Sequence, residues 1–222
     1  MGDELRMPRL LALYQEYLEK PDPAIFTQKV SGQYLPGTLE RLARHGRREV
    51  RRAAVAALGL VGEYEANATL GSALVDADRT VRILAENSIR YVWTRTGSDA
   101  DRFQLGVILR LNASRRFEEV VRLATQLIDR SPAVAETWNQ RAYAYHALGR
   151  FAESVRDCRE ALEINPYHFV AAVGMGRAYL ELGSPLPALE SFRRALQLHP
   201  DMEGVRAQVD RLARMVEGGK RD

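Results

Sequence analysis

The C-terminal half of the chain repeats itself with a period of 34 residues, and this feature constrains the fold more than any other. A shift of 34 places Ala144 on Ala178, Tyr145 on Tyr179, Leu148 on Leu182 and Gly149 on Gly183. The match continues with Ala161 on Ala195, Leu162 on Leu196 and Pro166 on Pro200. A fixed period of about 20–50 residues is typical of stacked structural units rather than of one closed core. Such units bury their apolar faces against their neighbours and leave an extended surface for partners. The repeat therefore favours a binding function over catalysis.

The overall composition argues against several classes of protein. Hydrophobic residues make up 46% and charged residues 27% of the chain, as in packed proteins and unlike disordered ones. Cys158 is the only cysteine, so we do not expect a secreted disulfide scaffold. The first residues lack a signal-peptide pattern, and no apolar run approaches the ~18 residues of a membrane-spanning helix. We therefore expect a cytoplasmic protein without a membrane partner.

The N-terminal part shows a second, shorter repeat. Residues 1–35 are predicted to form one amphipathic helix, over 8–20, followed by a connector with little pattern. Residues 36–97 then repeat with a period of 31, because Leu39 maps onto Leu70 and Ala54 onto Ala85. Each copy is predicted to form two short helices, and these lie at 37–45 and 47–60 in the first copy and at 64–76 and 78–95 in the second. Asp78 is predicted to be the N-cap of the last helix.

The second helix of each N-terminal copy carries a recognisable pattern. Residues 49–59 are Glu-Val-Arg-Arg-Ala-Ala-Val-Ala-Ala-Leu-Gly, and residues 78–85 are Asp-Arg-Thr-Val-Arg-Ile-Leu-Ala. This pair resembles two HEAT repeats of the short bacterial type. The resemblance implies an α-solenoid with a scaffolding role. The first copy lacks the acidic residue that Asp78 supplies in the second. The two copies therefore depart from the family pattern, in which equivalent side chains form a ladder between successive repeats.

Residues 98–202 are predicted to form three units of two helices each, at 101–134, 135–168 and 169–202. The second unit matches the tetratricopeptide pattern at Trp138, Ala142, Tyr145, Gly149, Phe151, Ala161 and Pro166. The third matches it at Gly176, Tyr179, Gly183, Ala188, Phe192, Ala195 and Pro200. This part of the chain thus resembles a pair of tetratricopeptide repeats, and residues 101–134 resemble a degenerate third. Residues 203–222 are predicted to form a capping helix and a tail.

These patterns together predict an all-α fold, an α-solenoid of helical hairpins in which HEAT-like repeats precede tetratricopeptide repeats and a capping helix. Side chains that could carry chemistry show no catalytic pattern. His45, His146, His168 and His199 are not spaced with other ligands as in a metal site, and Cys158 is expected to be a small buried hydrophobe. We therefore expect no enzyme activity, metal, cofactor or small-molecule substrate.

The first helices of the three tetratricopeptide units predict a partner-binding groove, because residues three or four apart share one helix face. The predicted lining residues are Arg102, Leu105, Leu109, Asn112, Glu136, Asn139, Tyr143, His146, Val170, Val173 and Arg177. Tyr and Arg are frequent interface anchors, and apolar neighbours suit an amphipathic helix or an apolar peptide of a partner protein. An alternative is that the apolar members, Leu105, Leu109, Val170 and Val173, only pack against the HEAT-like part or the cap.

The resemblance also predicts one class of ligand that the groove does not bind. Family members that grip the C-terminal carboxylates of chaperones present Lys, Asn and Arg at matching positions of the inner helices. This chain has Leu105, Leu109, Val170 and Gly174 there. We therefore expect no binding of chaperone tails.

A cluster of six arginines offers a second candidate surface, formed by Arg41, Arg44, Arg47, Arg48, Arg51 and Arg52. Such clusters can neutralise phosphates and bind nucleic acid. No aromatic residue interleaves with them, and Glu40 and Glu49 offer partners, so a solvated or structural role is favoured. The favoured function is a protein-binding scaffold, and the alternatives are a nucleic-acid-associated protein or a regulatory module of a separate enzyme.

Overall fold

The computed structural model describes residues 9–218. These residues form thirteen α-helices and a short 3-10 turn at Tyr64–Ala66, without a strand. The helices are α1 (Arg9–Glu19), α2 (Pro23–Ser31), α3 (Pro36–His45), α4 (Arg48–Val61), α5 (Asn67–Ala73), α6 (Arg79–Thr94), α7 (Asp99–Ala113), α8 (Phe117–Arg130), α9 (Ala135–Ala147), α10 (Phe151–Ile164), α11 (Phe169–Glu181), α12 (Pro185–Leu198) and α13 (Glu203–Gly218). The predicted all-α fold built from helical hairpins is confirmed. The chain divides into two compact units, Met1–Arg95 and Thr96–Asp222.

Helix α2 lies where the sequence pattern predicts only a connector. Asp22 caps it, since its carboxylate accepts hydrogen bonds from the backbone N–H groups of Ala24 and Ile25, and Pro23 fits the first turn. Phe26 is 2% exposed and stacks on Tyr17 of α1, with ring centroids 4.8 Å apart. The prediction of a connector was wrong. The helix has only nine residues, and only Phe26 and Val30 are buried, so its sequence shows little apolar periodicity. The predicted start of α1 at Pro8 lies outside the described residues.

The N-terminal unit is built around α4, which packs against α3 and α6. Small residues make this close packing feasible. A Cβ added to Gly59 would lie only 2.2 Å from the Ser88 Oγ of α6, so the two helices approach closely at this point. The Ser88 hydroxyl donates to the carbonyl oxygen of Val55 across the same contact, at 3.1 Å. The predicted N-cap of α6 is confirmed, because the Asp78 carboxylate accepts from the backbone N–H of Val81.

The C-terminal unit contains three successive hairpins, α7–α8, α9–α10 and α11–α12, followed by α13. Arg115, Gly149 and Gly183 occupy the same turn of each hairpin, and their φ angles are +59°, +74° and +66°. The residue after each of them donates its backbone N–H to a carbonyl oxygen five residues earlier, at 2.8 to 3.0 Å. This left-handed turn ends the first helix and directs the chain into the second.

The core of the C-terminal unit depends on alternating small and large residues. A Cβ on Gly176 would lie 2.7 Å from the Phe192 ring, which is 2% exposed between α11 and α12. Ala188 and Ala195 are fully buried on α12, as the tetratricopeptide resemblance implies. Helix α13 packs on α12 with Leu212 buried, and this confirms the capping helix. The end of the predicted tail, 219–222, lies outside the described residues.

Candidate functional site

A groove of about 400 Å³ lies along the first helices of the three C-terminal hairpins. Helices α7, α9 and α11 supply most of its lining, and α10 adds two residues. The lining residues are Leu109, Asn112, Ala113, Asn139, Gln140, Ala142, Tyr143, His146, Ser154, Cys158, Val170, Val173, Gly174 and Arg177. We call this surface the groove. It contains eight of the eleven residues that the sequence pattern places there.

Three residues predicted to line the groove do not lie in it. Leu105 is fully buried in the core beside Ile108 and Leu127, because α7 turns this face toward α8. Glu136 is 7% exposed and forms an ion pair with His168, so it faces the next repeat rather than solvent. Arg102 pairs with Asp99 and donates to the carbonyl oxygen of Gly97, at the start of α7. These three residues are therefore removed from the candidate site.

The groove has a floor of small residues that the sequence pattern missed. Ser154 and Cys158 belong to the second helix of their hairpin but reach the groove between the first helices. Gly174 makes this feasible, since a Cβ there would lie 3.2 Å from the Cys158 Sγ. Burial and, to a lesser degree, the Asp157 carboxylate raise the pKa of Cys158 to about 12. The thiol is thus protonated at neutral pH and serves as an apolar surface rather than a nucleophile.

Two large polar side chains of the groove, Tyr143 and Arg177, are exposed. Tyr143 is 56% exposed, and the edge of its ring contacts Phe117 with the centroids 6.1 Å apart. Arg177 is exposed on α11. The described lining residues include no carboxylate, so Arg177 gives the groove a positive charge. An exposed aromatic ring and a guanidinium beside Val170 and Val173 are the residue types that carry most binding energy in protein interfaces.

A buried hydrogen-bond network supports one wall of the groove. The Glu136 carboxylate accepts from the amide groups of Asn139 (3.2 Å) and Gln140 (2.5 Å), and from His168 Nε2 at 2.9 Å. Burial alone would raise the pKa of Glu136, but these hydrogen bonds, led by that from His168, outweigh it and lower the pKa. Glu136 is therefore ionised at neutral pH and fixes the orientation of its neighbours.

The arginine cluster is largely occupied by contacts within the N-terminal unit. Arg51 donates from Nε and Nη2 to the two carboxylate oxygens of Asp76, both at 2.7 Å. Arg52 makes the same fork with Asp78, at 2.8 and 2.6 Å. The remaining members are more exposed: Arg44 reaches Thr69 and Glu40, Arg48 reaches Glu49, and Arg41 and Arg47 are exposed. Arg51 and Arg52 thus join the two HEAT-like hairpins. Because their guanidinium groups are paired with carboxylates, the six arginines do not form a continuous phosphate-binding face.

Within residues 9–218, no three His, Cys, Asp or Glu side chains come close enough together to hold a metal ion. None of the helices described is both long and apolar enough to cross a membrane.

Comparison with known proteins matches two segments of the chain to repeat families. The family model for HEAT repeats matches residues 35–101, and the model for the tetratricopeptide repeat matches residues 135–168. The first tetratricopeptide domain of Spaghetti (RPAP3), solved with the Hsp90 peptide SRMEEVD, superposes with a TM-score of 0.52 at 21% identity. That match covers 55% of this chain and 96% of the Spaghetti domain. The chain thus carries HEAT-like repeats followed by a tetratricopeptide-repeat region.

Two curated relatives match this chain over part of its length and part of theirs. A TPR repeat-containing protein of Rhizobium etli is 27% identical over 60% of this chain, which spans 66% of that protein. The SGT1 homolog of Oryza sativa subsp. japonica is 38% identical over 36% of this chain, which spans 20% of that protein. The similarity to both relatives is therefore that of a repeat region rather than of a whole protein.

Proposed function

We propose that this protein is a non-enzymatic scaffold whose groove binds a segment of a partner protein. The observation that carries the proposal is the groove itself, in which Tyr143 and Arg177 project from an apolar lining with a floor of small residues. A preformed groove on rigid helices lowers the ordering cost of binding, and burial of apolar side chains supplies affinity. The proposal keeps the cytoplasmic location predicted from the sequence.

The partner is expected to differ from that of the similar Spaghetti domain. That domain is bound to the Hsp90 peptide SRMEEVD. Leu109, Val170 and Gly174 line the groove here and carry no charge. A terminal carboxylate would lose its hydration beside these residues, and Arg177 is the one Lys or Arg among the described lining residues that could pair with it. We therefore propose an internal, partly apolar segment as the ligand rather than a chaperone tail.

Affinity capture from a native lysate, with and without nuclease, tests this function. The Tyr143→Ala/Arg177→Ala variant should lose a defined protein partner while its helicity by circular dichroism is unchanged. The matched control is Tyr91→Ala/Arg156→Ala, because Tyr91 is 62% exposed and Arg156 is exposed, both outside the groove. Partners that stay bound to the groove variant, or that are lost equally from both variants, would show the groove assignment to be wrong.

The nucleic-acid alternative stays a prediction, now centred on the exposed Arg41 and Arg47. Binding driven by phosphates falls steeply as salt rises, whereas binding in an apolar groove does not. In the same capture, partners that disappear with nuclease or moderate salt and ignore the Tyr143→Ala/Arg177→Ala variant would move the function to the arginine cluster.

A further inference from the structure

A second pocket, of about 330 Å³, lies between α10, α11 and α12. Leu162 and Ser191 are buried members of its lining, and Arg159 and Arg194 supply two guanidinium groups. The groove and this pocket share none of their described lining residues. We call it the α10–α12 pocket, and it is a candidate site separate from the groove.

The same place in the preceding repeat is filled by an ion pair. Arg141 and Asp157 stand 34 positions before Met175 and Ser191, which line the α10–α12 pocket. The Arg141 guanidinium donates from Nε and Nη2 to the two carboxylate oxygens of Asp157, at 2.7 and 3.0 Å. Its Nη1 donates to Thr125 Oγ1 at 2.8 Å. The side chains of the pair are 12% and 6% exposed, so a guanidinium and a carboxylate occupy the space that stays open in the third repeat.

The third repeat has a guanidinium at this place but no carboxylate to pair with it. Arg159 extends from α10, and its Nη2 donates to the hydroxyl of Tyr179 at 3.3 Å. Ser191 stands where the preceding repeat has Asp157, and its hydroxyl donates to the backbone oxygen of Pro187 at 2.7 Å. The α10–α12 pocket therefore contains hydrogen-bond donors without the carboxylate acceptor of the preceding repeat.

The charges around the pocket favour a single carboxylate over a polyanion. Among the described side chains, neither Arg159 nor Arg194 forms an ion pair with a carboxylate. Glu163 and Glu190 also line the pocket, each four residues from one of these arginines on the same helix, and both are exposed. These two carboxylates balance the two arginines and repel a chain of phosphates more strongly than one carboxylate. A ligand with one negative group therefore suits the pocket better than nucleic acid.

We propose that the α10–α12 pocket binds one Asp or Glu side chain of a partner protein, in the place that Asp157 fills in the preceding repeat. Arg159 offers the planar guanidinium that pairs with carboxylates. The Tyr179 hydroxyl accepts from Arg159 and has its own hydrogen left to donate. Leu162 and Met175 provide apolar surface for the methylene groups of the ligand. This site goes beyond the function proposed for the groove and does not depend on it.

The test uses the full chain and a displayed library of random 12-residue peptides. Peptides are selected that bind wild type and are lost from Arg159→Met/Arg194→Met. They should still bind the matched control Arg156→Met/Arg193→Met, which changes two exposed arginines of α10 and α12 outside the pocket. Each selected peptide should contain one Asp or Glu whose replacement by Asn or Gln weakens binding to wild type about tenfold, the equivalent of one charge-assisted hydrogen bond. The same replacement should weaken binding to Arg159→Met by less than about threefold.

A carboxylate supplied by the chain itself gives a second test. Ser191→Asp places it where the preceding repeat has Asp157, so it should pair with Arg159 and weaken the selected peptides at least about tenfold. Ser191→Asn has the same size without the charge and should weaken them less than about threefold. Helicity by circular dichroism should be unchanged in both variants. If Ser191→Asp alone loses helicity, its carboxylate finds no partner in the pocket, and the inference is wrong.

The groove variant Tyr143→Ala/Arg177→Ala should bind the selected peptides as wild type does. Peptides that are lost from this variant, that need no acidic residue, or that bind Ser191→Asp and Ser191→Asn equally would overturn the inference. Failure to select any peptide that depends on Arg159 and Arg194 would also overturn it. None of these results changes the function proposed for the groove, since its own test uses other residues.

Discussion

Replacing Arg51 with alanine removes the fork that joins the two HEAT-like hairpins. The guanidinium donates to both oxygens of Asp76 and, from Nη1, to the carbonyl oxygen of Gly46 at 3.2 Å. The Arg51 side chain is 20% exposed and that of Asp76 is 13% exposed, so the pair is screened less than a surface pair. Its loss leaves the Asp76 carboxylate with a single described donor, the backbone N–H of Asp78.

The expected cost is about 2 kcal/mol in the free energy of unfolding. A net hydrogen bond to a charged group contributes about 1.5–3 kcal/mol, and breaking a fully buried pair costs about 3–5 kcal/mol. The partial exposure of Arg51 places this pair below that upper range. The matched control is Arg41→Ala in the same cluster, which changes an exposed residue and should shift stability by less than about 0.5 kcal/mol.

Urea unfolding followed by tryptophan fluorescence measures this difference. Trp93 is 3% exposed in the N-terminal unit, and a Trp138→Phe background leaves it as the sole tryptophan. A double-mutant cycle with Asp76→Ala should give a coupling energy of about 1–2 kcal/mol. If Arg51→Ala and Arg41→Ala have the same stability, or if the cycle shows no coupling, the arginine cluster does not hold the hairpins together.

Three further predictions concern packing, the turns and acid. Phe192→Ala should lower the free energy of unfolding by about 3–5 kcal/mol, measured by urea unfolding with Trp138 fluorescence. The control Phe103→Ala changes a ring that is 72% exposed and should lower it by less than about 0.5 kcal/mol. Equal losses in the two variants would contradict the burial of Phe192. Gly149→Ala should destabilise the same unit by about 1 kcal/mol, because φ at this position is +74°. An unchanged midpoint of urea unfolding would contradict the left-handed turn at Gly149. The Arg52 fork lowers the pKa of Asp78 below its ordinary 3.8. The ionised Asp78 therefore stabilises the folded state fully above that pH, and this stabilisation is lost progressively below it. The free energy of unfolding of the N-terminal unit should therefore fall between pH 6 and pH 3 in wild type, and it should fall less in Asp78→Asn.

Periodicity predicted most of the fold because repeated units bury equivalent positions. The turns at Gly149 and Gly183 follow from the 34-residue repeat, and the contact between Gly176 and Phe192 joins two positions of the tetratricopeptide pattern. Helix α2 escaped prediction because it belongs to no repeat and is held by a local cap at Asp22 and by the stacking of Phe26. The Asp22-Pro23 pair is the signal that could have revealed it.

The groove was predicted less completely because a helical face does not reveal which neighbour covers it. Leu105 and Leu109 lie one turn apart on α7, yet one is in the core and the other lines the groove. Glu136 carries a charge that predicts exposure, but His168, 32 residues later, pairs with it in the interior. Cys158 reaches the groove beside Gly174 of the next helix, where a Cβ would lie 3.2 Å from the Cys158 Sγ. Such contacts depend on packing between helices, which spacing within one helix does not encode.

Photocrosslinking from the groove tests the central proposal most directly. Tyr143→p-benzoylphenylalanine places a crosslinker in the groove, and Tyr91→p-benzoylphenylalanine places one on a similarly exposed site elsewhere. After irradiation in nuclease-treated lysate, mass spectrometry identifies the joined peptides. A defined segment of one protein joined to position 143 and absent from position 91 is the predicted result. No protein segment at position 143, or the same segments at both positions, would contradict the proposal that the groove binds a partner.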